Sequence, residues 1–379
     1  MLAVRAQDAT SGLGLQQVPI PSPGPNDVLV KVHSAGITTG VLRLLRMGQC
    51  IVPTTVGHEA AGVIVELGDH VNDGCLAIGD CVRVHPMFSC GRCYNCQRQL
   101  DCMCEESAQM GFAKFCDESA LYTEYHDGVL AEYVRVPRQF IDRLPDNVSF
   151  DAGAKMHDVA TALRVLKMAD IVQPKSTIII TAPTGTMGTV TLKLIKFFPN
   201  ISKIILVGRS KDRLESVRQL TPVQTVAFPI VEPLEGQPLA GPPQPGPPCV
   251  SPIVQNLKEL APEGIAAIID YIPAGTTVSH ILPSLVSGGT LVHVGANPTP
   301  LLVPLIVILG KCWRILGNRG HTREDAHQIL GWLSSGDLVL QDLITHRFRL
   351  RDVHRAIQAI ESREEQIWMS LVEVVPRRS

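Results

Sequence analysis

Four cysteines at short, fixed intervals are the most chemically specific feature of the chain. Cys90-Gly-Arg-Cys93-Tyr-Asn-Cys96 is followed by Cys104, a C-x2-C-x2-C-x7-C pattern. Spacings this short bring successive thiolates to one point, and Zn²⁺ accepts four sulfurs in a tetrahedron. With every position filled by protein, such a zinc is structural and orders its loop. Cys102 competes for the fourth place, and spacing alone does not exclude it. A second pattern, Ala182-Pro-Thr184-Gly185-Thr186-Met187-Gly188, suits a dinucleotide. Gly185 lets backbone approach a pyrophosphate, and Gly188 permits close helix–strand packing. The helix that opens there turns its partial positive charge toward phosphate. Where an NAD site places a carboxylate for the ribose 2′-hydroxyl, the next strand ends instead in Gly208-Arg209-Ser210-Lys211. A guanidinium, a hydroxyl and an ammonium suit the 2′-phosphate of NADP(H).

The elements that must position these groups change in texture along the chain. Between Asp27 and Val84, β-branched runs such as 28–33 and 62–67 read as short strands closed by turns. From Ser176 onward strands alternate with helices: strands at 177–181, 203–207, 266–270 and 290–294, helices at 189–198 and 211–220. That alternation predicts an α/β fold with a parallel, doubly wound sheet. The Pro- and Gly-dense stretch 229–252 cannot be a central strand and reads as a surface loop.

With 379 residues, 45% hydrophobic and 18% charged, the chain has material for two globular domains. A net charge of -2 with no basic run argues against nucleic acid as a partner. Residues 1–14 lack the basic start and apolar core of a secretory signal, and eleven cysteines then imply reduced thiols. The most apolar run, 301–309, is interrupted by Pro304 and spans about half the ~20 residues needed to cross a bilayer. The expectation is a cytoplasmic protein without a membrane segment, this run being buried at a subunit contact.

Gly57-His58-Glu59-Ala60-Ala61-Gly62, Gly79-Asp80-Cys-Val-Arg-Val84, the cysteine loop, Gly128-Val-Leu-Ala-Glu-Tyr-Val134, the nucleotide turn and Leu343-Ile-Thr-His-Arg-Phe348 together resemble the zinc-type alcohol dehydrogenases of the medium-chain dehydrogenase/reductase superfamily. The resemblance covers nearly the whole chain. It implies a GroES-like β-barrel catalytic domain from 1–158 plus 320–379, and a Rossmann NADP(H)-binding domain from 159–319. It also implies Cys104 at the fourth zinc position. Val294, Gly295 and Ala296, with Gly317 and Asn318, would lie near the nicotinamide, and the protein would form a homodimer or homotetramer.

The expected catalytic residues depart from that pattern. The cysteine that would bind a catalytic zinc after the Ala-Gly-x turn is Thr38, the relay hydroxyl is Gly40, and the usual aspartate is Val41. His58, Glu59 and His157 remain, so either a second zinc bound by the two histidines with Glu59 or Asp158, or a polar histidine pair, is compatible with the sequence. Thr38, His58 and His157 would surround the reacting centre. Without the relay, NADPH-dependent reduction of a small molecule's polarised C=O, C=C or C=N is favoured. A conventional zinc alcohol dehydrogenase and a cofactor-binding protein without turnover are the rival readings.

Overall fold

The run Ser176–Thr181 (Ser-Thr-Ile-Ile-Ile-Thr) is largely β-branched, and in this computed structural model it forms a strand buried on both faces. A strand of that composition belongs inside a parallel sheet with helices over each face. The structure describes all residues except 9–11, 73, 117, 231–250, 363 and 376–379, so most of the Pro-rich stretch lies outside the described residues. The chain divides into two units, Met1–Thr161 with Gly320–Ser379, and Ala162–Arg319. The division falls after Thr161 rather than after 158, within the unbroken helix Phe150–Ala169.

In the unit Ala162–Arg319, six parallel strands lie in the spatial order Gln224–Pro229, Ile201–Gly208, Ser176–Thr181, Ile265–Asp270, Leu285–His293, Arg314–Gly317. By chain position this is 3-2-1-4-5-6, whose switch point lies between the first and fourth strands. Ile179, Ile205, Ile268 and Leu291 form the sheet's share of a core shared with Leu257 and Ile281. At the carboxyl ends of the strands, Asp270 accepts a hydrogen bond from Thr181 Oγ1 (2.5 Å) and pairs with His293 Nδ1 (2.5 Å). One carboxylate thus ties three strand ends together.

Helix boundaries differ from expectation for local reasons. The first helix begins at Thr186, not 189, because Gly185 is its N-cap, and it closes in a 3-10 turn, Ile195–Phe197. The helix expected at 211–220 ends at Ser216 and continues as the 3-10 turn Arg218–Leu220. The apolar run 301–309 contributes to the helix Leu305–Lys311, in which no residue is buried; Leu305 and Leu309 are 82% and 71% exposed. The single chain does not supply the cover expected for it.

In the other unit, the strand Asp27–Gly36 is central, pairing with Ala60–Leu67, Tyr133–Pro137 and Met369–Glu373. The last of these brings the end of the chain back, with Leu371 opposite Gly36 and Ile344–Arg349 running parallel beside it. Val30, Val32, Ile64, Val84 and Val136 fill the interior. Phe88 pairs with Ala108 and closes the cysteine loop as a hairpin. Among the described residues no helix is long and apolar enough to cross a membrane.

The nucleotide turn separates two glycines by their surroundings. A Cβ at Gly188 would lie 2.4 Å from Pro183 Cα, whereas one at Gly185 would have its nearest neighbour at 3.9 Å. Gly188→Ala is therefore expected to lower stability by about 1–3 kcal/mol, and Gly185→Ala by less than about 1 kcal/mol. Urea unfolding without dinucleotide measures both; equal losses would contradict the packing role of Gly188.

Candidate functional site

The hairpin Met87–Gln109 carries the first cluster. The Sγ atoms of Cys90, Cys93, Cys96 and Cys104 all lie within 4.8 Å of one another. Cys90 and Cys96 are 4.0 Å apart, against the roughly 3.8 Å that a tetrahedron with Zn–S near 2.3 Å would require. Backbone amides point at the sulfurs: Cys90 N and Glu106 N donate to Cys104 Sγ, and Cys93 N to Cys90 Sγ, each at 3.3 Å. The N–H groups of Cys96 and Glu105 draw the Cys93 thiol down to about 6. Burial instead pushes the Cys96 and Cys104 thiols up, and a metal takes them only as thiolates. The donor set therefore fits a zinc ion. Cys102 is buried but outside the cluster, so the fourth place is that of Cys104.

The second cluster lies in the interior of the same unit. His58, His157, His321 and His85 form a column, with successive ring centroids 5.0, 5.0 and 5.1 Å apart. Burial pushes His58 down to about 3 and His321 to about 4, and holds His157 and His85 well below the ordinary value. All four are thus neutral imidazoles near pH 7. At one end His85 Nδ1 meets Arg83 Nη2 at 2.8 Å, and Arg83 pairs with Asp142, which also pairs with Arg323. Burial opposes ionisation of Asp142, but Arg83, His327 and Arg323 more than reverse it, holding its carboxyl far below the usual range. Gln109 reaches His157 Nε2 at 2.9 Å.

At the other end, Phe112 packs on His58, ring centroids 4.6 Å apart. A Cβ at Gly40 would come within 3.2 Å of the same phenyl ring. The position expected to lack a relay hydroxyl is thus where an aromatic ring comes close. Thr38 precedes the helix Thr39–Arg46 and its hydroxyl makes no cap bond to it.

Glu59, expected to join His58 and His157 around a metal, points elsewhere. Its Oε2 is 2.5 Å from Lys155 Nζ, and Lys155 is also 2.8 Å from Asp158 Oδ2. Burial and then Asp158 push Glu59 up to about 8, against the opposite pull of Lys155. Burial disfavours the ammonium as well, but Asp158 and Glu59 outweigh it and lift Lys155 above the ordinary lysine value. Among the described residues the four cysteines are the one group of three or more His, Cys, Asp or Glu ligand atoms that converges. His58, Glu59 and His157 do not form such a group, because the carboxylate is held by an ammonium. That donor set, with a fixed cation on its acid, does not fit a second divalent ion. Lys155, His85 and His321 escaped the sequence reading; a lysine and histidines inside apolar runs were the available signal.

In the unit Ala162–Arg319, a cavity of about 310 Å³ is lined by Thr184, Gly208, Arg209, Ser210, Arg213 and Leu214. Lys211 is exposed and absent from this lining, and Arg213 takes its place. Ser210 caps the helix Lys211–Ser216 by accepting from Arg213 N. Thr186 opens the helix of the nucleotide turn, followed by Met187 and the buried Gly188. Val294, Gly295 and Ala296 follow directly on the strand Leu285–His293, Gly317 ends the neighbouring strand, and Asn318 N donates to His293 O at 3.0 Å. The expected dinucleotide residues therefore sit at or just beyond carboxyl ends of adjacent strands, where open parallel sheets bind ligands.

Comparison with known proteins places this geometry in context. Residues 24–146 match the alcohol dehydrogenase GroES-like domain. Probable D-xylulose reductase A of Aspergillus fumigatus is 29% identical over 365 residues, 92% of each chain. The sorbitol dehydrogenase of Arabidopsis thaliana is 27% identical over 341 residues, 89% of this chain and 85% of that one. Among solved structures, an alcohol dehydrogenase from a Thermus species has a TM-score of 0.80 at 23% identity, covering 99% of this chain and 100% of that one. A putative zinc-binding dehydrogenase of Sinorhizobium meliloti bound to NADP has a TM-score of 0.77 at 25% identity, covering 98% and 99%.

The two candidates for the fourth cysteine separate experimentally. Cys104→Ser is expected to lose the metal of the loop and to lower the thermal midpoint, while Cys102→Ser keeps its metal. Elemental analysis of both purified variants checks this, and metal loss from the Cys102 variant alone would reverse the assignment.

Proposed function

We propose that this chain, an alcohol dehydrogenase-like oxidoreductase of the medium-chain dehydrogenase/reductase type, uses NADP(H) and reduces a polarised C=O, C=C or C=N of a small organic molecule. The observation that carries the cofactor choice is the end of the strand Ile201–Gly208. It presents Gly208 where a carboxylate would repel a phosphate, and the adjoining cavity gathers Arg209, Ser210 and Arg213. Guanidinium groups bind phosphate through parallel N–H bonds and remain charged at every working pH. The bound dinucleotide supplies the hydride. Gly185 and the N–H groups of the helix beginning at Thr186 hold the pyrophosphate. The cysteine loop holds one structural zinc.

The chemistry at the acceptor falls to hydrogen-bond donors. His58 is a neutral imidazole with one N–H to give, and Thr38 offers a hydroxyl not engaged in capping. Hydride addition to a carbonyl develops negative charge on oxygen, which such donors stabilise. Reduction of an enone needs a donor for the carbonyl oxygen and later a proton at carbon. The proton path of an ordinary alcohol oxidation is missing at Gly40 and Val41, which favours the reductive direction. The names of the xylulose reductase and sorbitol dehydrogenase relatives support a second reading, a conventional zinc polyol or alcohol dehydrogenase; Thr38 in place of a thiolate weighs against it.

The exposed Leu305, Ile306 and Leu309, beside the edge strand Arg314–Gly317, support a homodimer or homotetramer joined through this face.

Fluorescence titration tests the central assignment. NADPH is expected to bind at least about tenfold more tightly than NADH. Arg209→Ala should weaken NADPH by roughly 10- to 100-fold, the range of one or two charge-assisted hydrogen bonds, and leave NADH nearly unchanged. Tighter binding of NADH would overturn the cofactor assignment. Tight NADPH binding with no oxidation across a carbonyl, enone and iminium panel would favour a cofactor-binding protein without turnover.

A further inference from the structure

Lys155 belongs to no motif of the chain, yet it sits at the acid expected to bind metal. The helix Phe150–Ala169 sets Lys155 and Asp158 three residues apart on one face, and Glu59 enters from the start of the strand Ala60–Leu67. Side-chain exposures are 1% for Lys155, 0% for Glu59 and 11% for Asp158, so the ammonium and the two carboxyl groups face one another with little solvent between them. Beside this triad, His58 Nδ1, His157 Nδ1 and Glu59 Oε1 have no hydrogen-bond partner among the described residues. Two imidazoles and a carboxylate are ordinary donors for a divalent ion. Here the carboxylate already carries a cation on its other oxygen, and a second positive charge nearby would be repelled at low effective dielectric.

We propose that the Lys155 ammonium stands in for a second metal ion, engaging Glu59 and Asp158 and keeping divalent cations out of the His58–His157 centre. The dication's role in polarising an acceptor passes to hydrogen-bond donors. An iminium ion, which brings its own positive charge, then suits the centre better than a simple ketone. Lys155 is a positioning residue in this account: it acts through Glu59 and touches no substrate.

The test counts metal and needs no turnover, so its outcome is separable from that of the cofactor assignment. The full chain is purified from zinc-supplemented medium, dialysed against micromolar Zn²⁺, desalted and analysed by elemental mass spectrometry. The expected result is one zinc per chain for the wild type and for Lys155→Arg, and close to two for Lys155→Gln. The extra zinc should be lost again in Lys155→Gln/His58→Ala. If Lys155→Gln fails to fold, Lys155→Gln/Asp158→Asn, in which a carboxylate leaves with the ammonium, gives the same reading. Two zincs in the wild type, the second lost on His58→Ala, would overturn the proposal. So would a folded Lys155→Gln or Lys155→Gln/Asp158→Asn protein that still holds one.

Discussion

An ammonium enclosed in a protein interior persists only if carboxylates meet it at close range, and the unit around Lys155 is organised to supply them. Breaking one partner of such a pair typically costs about 3–5 kcal/mol. The geometry of its neighbours is correspondingly constrained. Glu59 can reach Lys155 because Gly36 has no side chain; a Cβ there would lie 2.1 Å from Glu59 Oε2. The helix that carries Lys155 is anchored at its first turn, where Asp151 accepts from Ser34 Oγ and from Arg347 Nη1, each at 2.6 Å. Arg347 lies in the returning segment of the chain, so the C-terminal strands fix the helix that presents Lys155, His157 and Asp158. A second buried pair, Arg83 with Asp142, lies beyond the far end of the histidine column. Neutral imidazoles between two sets of buried charges are what burial dictates, since a charged one would need a carboxylate of its own.

In the unit Ala162–Arg319 the proposed dinucleotide site relies mostly on backbone. Its phosphates would meet a turn and a helix N-terminus, features that depend on where glycine permits close approach. The side chains proposed to discriminate stand at the next strand's end, which the sheet's parallel order brings beside the turn: Thr184 and Arg209 line one cavity although they come from different crossovers. The switch-point carboxylate Asp270 is spent on Thr181 and His293 and so serves the scaffold.

What the sequence made legible was local. The cysteine loop and the strand–turn–helix unit each lie within a short span, and their spacing carries their geometry. That the sheet is parallel followed from alternation alone, whereas the order of its strands did not. The interior of the first unit was not legible, because its contacts join distant segments: Glu59 and Lys155 are 96 residues apart, and His321 reaches His157 from the far side of the cofactor unit's sequence. Lys155 lies in no spaced motif, and its contact with Glu59 joins segments too distant for spacing to reveal. Arg213 lines the cavity because a residue three after the N-cap turns back toward it, whereas Lys211 is exposed. The helix Leu305–Lys311 is a different case: its apolar composition was legible, but which surface covers it does not follow from one chain.

In the proposed arrangement the Lys155 amine, and no second metal ion, faces Glu59 and Asp158 beside the histidine pair. Crystals grown in the presence of zinc and measured at the zinc absorption edge address that directly, since anomalous scattering locates each ion. The predicted map has one peak, enclosed by Cys90, Cys93, Cys96 and Cys104. A second peak between His58 and His157, with Glu59 turned away from Lys155, would contradict it.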